Sequence, residues 1–248
     1  MNGVLLVTGG SRGIGAAVAL LAAKHGYAVA VNYNGNANAA ESVVAEIRAS
    51  GGKAISVQAD VSDEAAVLAM FARVDSELGR LTALVNNAGV VDLASRVDAM
   101  TVTRLRRMLD VNVLGSFLCA REAVLRMSTR LGGNGGGIVN LTSAAARLGA
   151  PGQYVDYAAS KGAIDSFTVG LAKEVATEGI RVNAVRPGII DTDIHASGGV
   201  PDRVAQMAPH VPMQRGGTAL EVAQAILWLL SDDSSYTTGS VLDVAGGR

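Results

Sequence analysis

The sequence predicts an α/β fold, a parallel sheet covered by helices on both faces, and two observations carry that prediction. Short apolar runs rich in Val, Ile and Leu recur with little polar alternation, as strands buried on both sides require. Between them lie longer segments with apolar residues every three or four positions, several ending near a glycine (Gly26, Gly51, Gly79, Gly179). Alternation of this kind is the pattern of successive βαβ units.

In chain order, strands are expected over residues 4–8, 28–33, 54–58, 83–86, 137–142, 181–185 and 240–244. Helices are expected over residues 14–25, 39–50, 64–78, 102–127, 154–177 and 219–230. With no Pro-rich linker, charge block or internal repeat, residues 1–248 read as one domain. Two stretches break the rhythm. Residues 131–137 (LGGNGGG) read as a surface turn, and residues 187–217, holding four of the five prolines, read as a binding loop or lid at about 188–215.

Composition narrows the function classes. A net charge of −1 provides no field for nucleic acid or an anionic membrane, and no apolar run approaches the ~18 to 20 residues of a spanning helix. His25, His195 and His210 lack metal-ligand spacing, and Cys119 has no second cysteine to pair with. The N-terminus has no basic region before its apolar residues, so a cytoplasmic protein is expected. Charged residues at 17% and apolar residues at 49% imply that much surface leaves water, inside the sheet layers or between subunits.

Three features carry chemistry. The run Thr8-Gly9-Gly10-Ser11-Arg12-Gly13-Ile14-Gly15 joins the first strand to the first helix. Its glycines allow a tight turn and close approach to a pyrophosphate at the helix N-terminus; a ligand-free β-α turn is the competing reading. The second strand ends in Asn32-Tyr33-Asn34, without the carboxylate that would bind free ribose hydroxyls and repel a 2′-phosphate. Arg12 could meet such a phosphate, so NADP(H) is favoured and NAD(H) stays possible. Asp60 and Val61 after the third strand are candidates for the adenine, and Asn86-Asn87-Ala88-Gly89 follows the fourth strand.

The third feature is Tyr157-Ala158-Ala159-Ser160-Lys161. Residues i and i+4 share a helix face. Ionising a phenol of pKa about 10 at neutral pH costs roughly 4 kcal/mol. A cation about 4 Å away at an effective dielectric of ~20 supplies a comparable amount. Lys161 is therefore expected to lower the Tyr157 pKa and make it an acid/base, against the plainer reading of a half-buried Tyr beside a snorkelling Lys.

Taken in order, Thr8–Gly15, Asn86–Gly89, Asn112, Ser143, Tyr157-x3-Lys161, Pro187-Gly188 and Thr192 resemble the motifs of the short-chain dehydrogenase/reductase family over nearly the whole chain. Residues 154–164 and 212–217 are similar to bacterial oxidoreductases labelled glucose 1-dehydrogenase-like. The resemblance implies a Rossmann-type doubly wound sheet of seven parallel strands in the order 3-2-1-4-5-6-7. It implies Asn112, Ser143, Tyr157 and Lys161 as catalytic residues. Tyr157 would exchange the proton with a small carbonyl or alcohol substrate, and Ser143 would bond the substrate oxygen. Lys161 would bind the nicotinamide ribose, and Asn112 would hold a water leading from Lys161 to solvent. It implies cofactor contacts from Gly9, Ser11, Arg12, Gly13, Ile14, Gly15, Asn32, Tyr33, Asp60, Val61, Asn87, Ala88 and Gly89, with Tyr157 and Lys161. Pro187, Gly188, Ile190 and Thr192 would orient the nicotinamide.

The same resemblance implies a homotetramer. Tyr154 lies seven residues from Lys161 and is the poorer acid; His195 and Met207 are candidate substrate contacts, equally readable as solvent-facing lid residues. Thirteen residues separate Ser143 from Tyr157, about one more than in many relatives, which bears on pocket shape. A 3-oxoacyl-carrier-protein reductase is the nearest competing function, with Arg121, Arg126 and Arg130 as candidates for an acidic carrier. A catalytically silent cofactor sensor is the rival from another class.

Overall fold

In a computed structural model, residues 3–192 and 198–248 are described. Seven strands form one parallel sheet: β1 (Val4–Val7), β2 (Ala28–Tyr33), β3 (Ala54–Gln58), β4 (Leu81–Asn86), β5 (Gly136–Leu141), β6 (Ile180–Pro187) and β9 (Val241–Val244). Their spatial order is β3-β2-β1-β4-β5-β6-β9, the expected order, with the last sheet strand ninth in the chain. The two intervening strands, β7 (Ile190–Asp191) and β8 (Gly217–Thr218), form a separate parallel pair that the apolar pattern is too short to reveal. That pair ties together the two ends of the segment expected to be a lid.

Period-two alternation splits the core. Val4 and Leu6 face one side, with Phe71, Met70, Cys119, Ala123 and Val175; Leu5 and Val7 face the other, with Val18, Ala22, Ile47, Val222 and Ile226. The first side is covered by α3 (Glu64–Glu77), α5 (Gly115–Met127) and α7 (Val155–Val175). The second is covered by α1 (Gly13–Lys24), α2 (Ala37–Ala49) and α9 (Ala219–Leu230). Helix starts follow the local chemistry: Asn36, Asp63 and Thr218 accept from the N–H three residues on, and Thr218 with Glu221 completes a capping box.

One expectation changes and another is extended. The single helix expected over 102–127 is three pieces: α4 (Val102–Leu109), a π-helical turn (Asp110–Leu114) and α5. The period of apolar residues cannot distinguish a one-residue bulge from a continuous helix. The glycine run at 131–137 is exposed at Leu131, Gly132 and Asn134, as a surface turn should be, but Gly133, Gly135 and Gly136 also serve a close crossing of backbones. A Cβ on Gly133 would strike the Met127 carbonyl, one on Gly136 the Thr82 carbonyl, and one on Gly135 the Gly179 carbonyl.

Candidate active site

The strand order reverses between β1 and β4, and the C-terminal ends of these strands open the crevice in which ligands of such sheets bind. Thr8 joins the two strands. Its N–H donates to the Val85 carbonyl at 3.0 Å, and its Oγ1 accepts from the N–H groups of Asn87 and Ala88, each at 3.0 Å. Asn87 donates from Nδ2 to the Thr8 and Gly9 carbonyls, both at 2.9 Å. Asn32 is 2% exposed, accepts from the Gly9 N–H at 3.1 Å and donates to the Ala59 carbonyl at 3.0 Å. The side chains of Asn32 and Asn87, expected to meet cofactor, are thus engaged in bracing the glycine loop.

That loop fits a pyrophosphate. Gly9 and Gly13 have φ of +59° and +54°, and a Cβ on Gly15 would collide with the Gly9 carbonyl and the Asn87 amide. Arg12 occupies the N-cap of α1 without a side-chain cap bond, and no acidic residue stands in the first turn, so the helix presents uncapped N–H groups to an anion. A groove of about 940 Å³ runs from this loop past Tyr33, Asn34, Asn36, Asp60 and Val61. Asp60 accepts from the Ser62 hydroxyl at 2.6 Å and from Asn34 Nδ2 at 3.2 Å. The Ser62 hydroxyl leads in holding the Asp60 carboxyl below its ordinary range. Ser11, Arg12, Gly13, Ile14, Ala88 and Gly89 border the same groove.

Beyond Gly89 a second chamber, of about 500 Å³, contains Ser143, Tyr157 and Lys161. Asn112 sits in the π-helical turn, fully buried, where Oδ1 accepts from the Val90 N–H at 2.7 Å and Nδ2 donates to Ser160 Oγ at 3.1 Å. A Cβ on Gly89 would lie 3.4 Å from Asn112 Oδ1 and 3.5 Å from Lys161 Nζ, so glycine lets these two groups converge. Lys161 donates from Nζ to the Leu141 carbonyl at 2.8 Å. The Ser143 hydroxyl acts on the Tyr157 phenol to lower its pKa, and its Oγ accepts from the Ala145 N–H at 3.1 Å. Pro187, Gly188, Ile190 and Thr192 complete the chamber, with Thr192 Oγ1 donating to the Ile190 carbonyl at 3.5 Å.

The electrostatics differ from the sequence expectation. Burial pushes the Tyr157 phenol above its ordinary value, and the Ser143 hydrogen bond only partly offsets this. Lys161 Nζ stands 5.7 Å from the Tyr157 ring centroid, and burial lowers its own pKa to about 8, against the opposing attraction of Asp165. Desolvation therefore sets the direction at the phenol. Tyr157 holds its proton at neutral pH, and Lys161 titrates just above it.

Three further findings concern residues around the chamber. Tyr154 lines it as well, but its hydroxyl donates to the Gly198 carbonyl at 3.4 Å and it caps α7. Met207 lines the chamber, whereas His195 lies outside the described residues. The loop between Ser143 and Tyr157 holds α6 (Ala145–Leu148) and left-handed residues at Gly149, Ala150 and Gly152. Sequence reasoning did not single out Arg203, within the segment expected to be a lid, or Arg104 behind α7. Neither belongs to a motif, and only the fold brings them to the site. The arginines considered for an acidic carrier are each paired: Arg121 with Glu64, Arg126 with Asp75 and Arg130 with Glu178.

Comparison with known proteins agrees with this geometry. A protein-family model described as enoyl-(acyl carrier protein) reductase matches residues 9–248. The chain is 59% identical over 245 residues to a protein named uncharacterized oxidoreductase YgfF from Escherichia coli (strain K12), covering 99% of each. It is 40% identical to the 3-oxoacyl-[acyl-carrier-protein] reductase FabG of Staphylococcus aureus (strain Mu50), covering 98% of this chain and 96% of that one. Among solved structures, a double mutant of the Serratia marcescens short-chain dehydrogenase/reductase superimposes with a TM-score of 0.91 at 35% identity, over 98% of this chain and 96% of that one. A continuous match of this extent, on a sheet of this order with a glycine loop at its switch point, means that the chain is an oxidoreductase belonging to the short-chain dehydrogenase/reductase family.

Proposed function

We propose that the chain is an NADP(H)-dependent oxidoreductase that interconverts a small carbonyl compound and its alcohol, with Tyr157 as the acid/base. The observation that carries this reading is the convergence of Ser143, Tyr157 and Lys161 on one chamber continuous with the glycine-loop groove. The nicotinamide, when bound, supplies or accepts the hydride. Tyr157, protonated at neutral pH, gives its proton to the carbonyl oxygen in reduction and takes one in oxidation. The Ser143 hydroxyl donates to the same oxygen as negative charge develops. Lys161 replaces the phenol's proton, and Asn112, beside it at Gly89, orders the route to solvent.

Arg12 at the loop and the absence of a carboxylate among Tyr33, Asn34 and Asn36 support a 2′-phosphate, and hence NADP(H) over NAD(H). Gly9, Ser11, Gly13, Ile14 and Gly15 would hold the pyrophosphate, with Asp60, Val61, Ala88 and Gly89 along the adenosine. Residues 1–248 would work as one catalytic domain under a lid at about 188–215. The reading includes a homotetramer and a cytoplasmic location. Exposed Leu109, Phe117 and Leu125, with Phe117 stacked on Phe167 at 3.8 Å, support a helical face that a second copy covers. The single cysteine, free and buried, suits a reducing compartment.

The deciding experiment follows NADPH oxidation on a panel of ketones, aldehydes, sugars and oxoacyl thioesters, with Tyr157→Phe in parallel. Turnover should fall about 10²- to 10⁴-fold in the variant while NADPH still binds. Full activity of Tyr157→Phe, or NADH binding as tightly as NADPH, would overturn the corresponding part of the proposal. Phe117→Asp should reduce the assembly in sedimentation; an unchanged mass would remove that face from the interface.

A further inference from the structure

The wall of the catalytic chamber facing Tyr157 carries an unbalanced charge. The side chains of Lys161 and Arg203 border it, and no acidic side chain of the described residues does. Arg203 opens α8 (Arg203–Met207) on the lid, half-buried. Its Nη2 donates to the neutral Gln153 Oε1 at 3.0 Å, and its guanidinium carbon lies 5.3 Å from the centre of the Tyr154 ring. No acidic side chain among the described residues forms an ion pair with it, whereas Arg104, Arg121, Arg126, Arg130, Arg186 and Arg215 each have one. A guanidinium carries five N–H donors in a fixed fork, and one bond to Gln153 leaves most of them unused. The Tyr154 face and Gln153 fix the plane of the fork, so its free edge is pre-organised for a planar or tetrahedral oxoanion.

The position of this fork bears on substrate choice. Tyr154 precedes Tyr157 by three residues at the start of α7, about one helical turn. An anion on Arg203 and a carbonyl at Tyr157 are therefore within the span of one short molecule. Val91, Leu148 and Met207 add apolar surface to the same chamber, which suits a few intervening carbons.

Building on the oxidoreductase reading above, we propose that the substrate is a short carbonyl compound bearing a carboxylate or phosphate, and that Arg203 is the residue that recognises this anion. Gln153 and Tyr154 are then positioning residues for the guanidinium.

The test compares each anionic carbonyl with its neutral partner in the same assay: pyruvate, acetoacetate and levulinate against their methyl esters, and dihydroxyacetone phosphate against dihydroxyacetone. At least one anion should exceed its partner in kcat/KM by about 10- to 100-fold, chiefly through KM, as a charge-assisted hydrogen bond implies. The pair showing the preference identifies carboxylate or phosphate as the recognised group. In Arg203→Met the preference should collapse to near unity, and Arg203→Lys should restore part of it. A lid clamp without anion recognition would lower both partners by the same factor and leave the ratio intact, which overturns the inference. Equal rates for every pair in the unaltered protein overturn it too.

Calorimetric binding of unreactive butanoate and of inorganic phosphate to the NADPH-loaded protein separates this inference from the oxidoreductase reading. At least one of these anions should bind, about 10-fold or more weaker in Arg203→Met. Arg203-dependent binding with no carbonyl turned over would sustain the anion site and sink the proposed small-carbonyl reaction. Turnover of neutral esters without any anion preference would do the reverse. Binding of neither anion, with no turnover, would remove both.

Discussion

Replacing Arg104 by methionine should cost about 3–5 kcal/mol of folding stability, because it strands a buried carboxylate. Arg104 Nε meets Asp156 Oδ2 at 2.7 Å and Nη2 meets Oδ1 at 3.1 Å, a bidentate pair with side chains only 11% and 2% exposed. Arg104 Nη1 also donates to the Leu93 carbonyl at 2.6 Å, so one guanidinium joins α4, the loop after β4 and the first turn of α7. Asp156 is the residue before Tyr157. At about 2–4 °C per kcal/mol for a chain of this size, the melting midpoint should fall by about 6–20 °C.

Urea titrations of the unaltered protein, Arg104→Met, Asp156→Leu and the double variant would measure the coupling. The double variant should recover most of the loss, because no charge is left unpaired. Burial alone would raise the Asp156 carboxyl, but the Arg104 hydrogen bonds and charge, together with backbone N–H groups at Tyr157 and Asp156, hold it below its ordinary range. The contribution of the pair is therefore complete above the ordinary carboxylate pKa of about 4. It fades as pH falls through the lower folded-state value, so the gap between the unaltered protein and Arg104→Met should close on acidification. A loss below about 1 kcal/mol for Arg104→Met, or a double variant worse than either single one, would refute the argument.

Lys161, with a pKa of about 8 in the folded protein and a higher one when unfolded, binds fewer protons folded than unfolded between those values. Stability should therefore rise from pH 8 to pH 10 relative to Lys161→Met in matched urea titrations; a parallel profile would show that the lysine is not desolvated. Cys119, fully buried and with its thiol pushed up to about 12, should resist a disulfide reagent at pH 8 and react stoichiometrically in denaturant. Rapid labelling of the folded protein would contradict that packing. Gly15→Ala should abolish dinucleotide binding in a fluorescence titration, because its Cβ would displace the Gly9 carbonyl; retained affinity would place the pyrophosphate elsewhere.

The strands and most helices are legible in the sequence because burial on both faces leaves a local record. The expected ranges 28–33, 54–58 and 219–230 coincide with Ala28–Tyr33, Ala54–Gln58 and Ala219–Leu230. The glycine loop and the Tyr157/Lys161 spacing are legible for the same reason, since each is a short-range constraint of turn or helix geometry. The π-helical turn at Asn112 was hidden because an added residue in a helix leaves the apolar stripe nearly unchanged.

The sequence by itself determined the class of fold, the place of the glycine loop and the residue types that could exchange a proton. Tertiary structure alone decided which of those groups is charged. Proximity along the helix suggested a phenol lowered by its lysine, whereas in the folded protein burial acts on both groups, holding the proton on Tyr157 and lowering Lys161 to about 8. Likewise the structure shows Asn32 and Asn87, which border the groove, bracing the glycine loop as well, and Arg203 emerges at the chamber from a segment with no motif. The reason is physical. Periodicity and turn chemistry act over a few residues, but desolvation and charge pairing depend on which distant segments the sheet brings together.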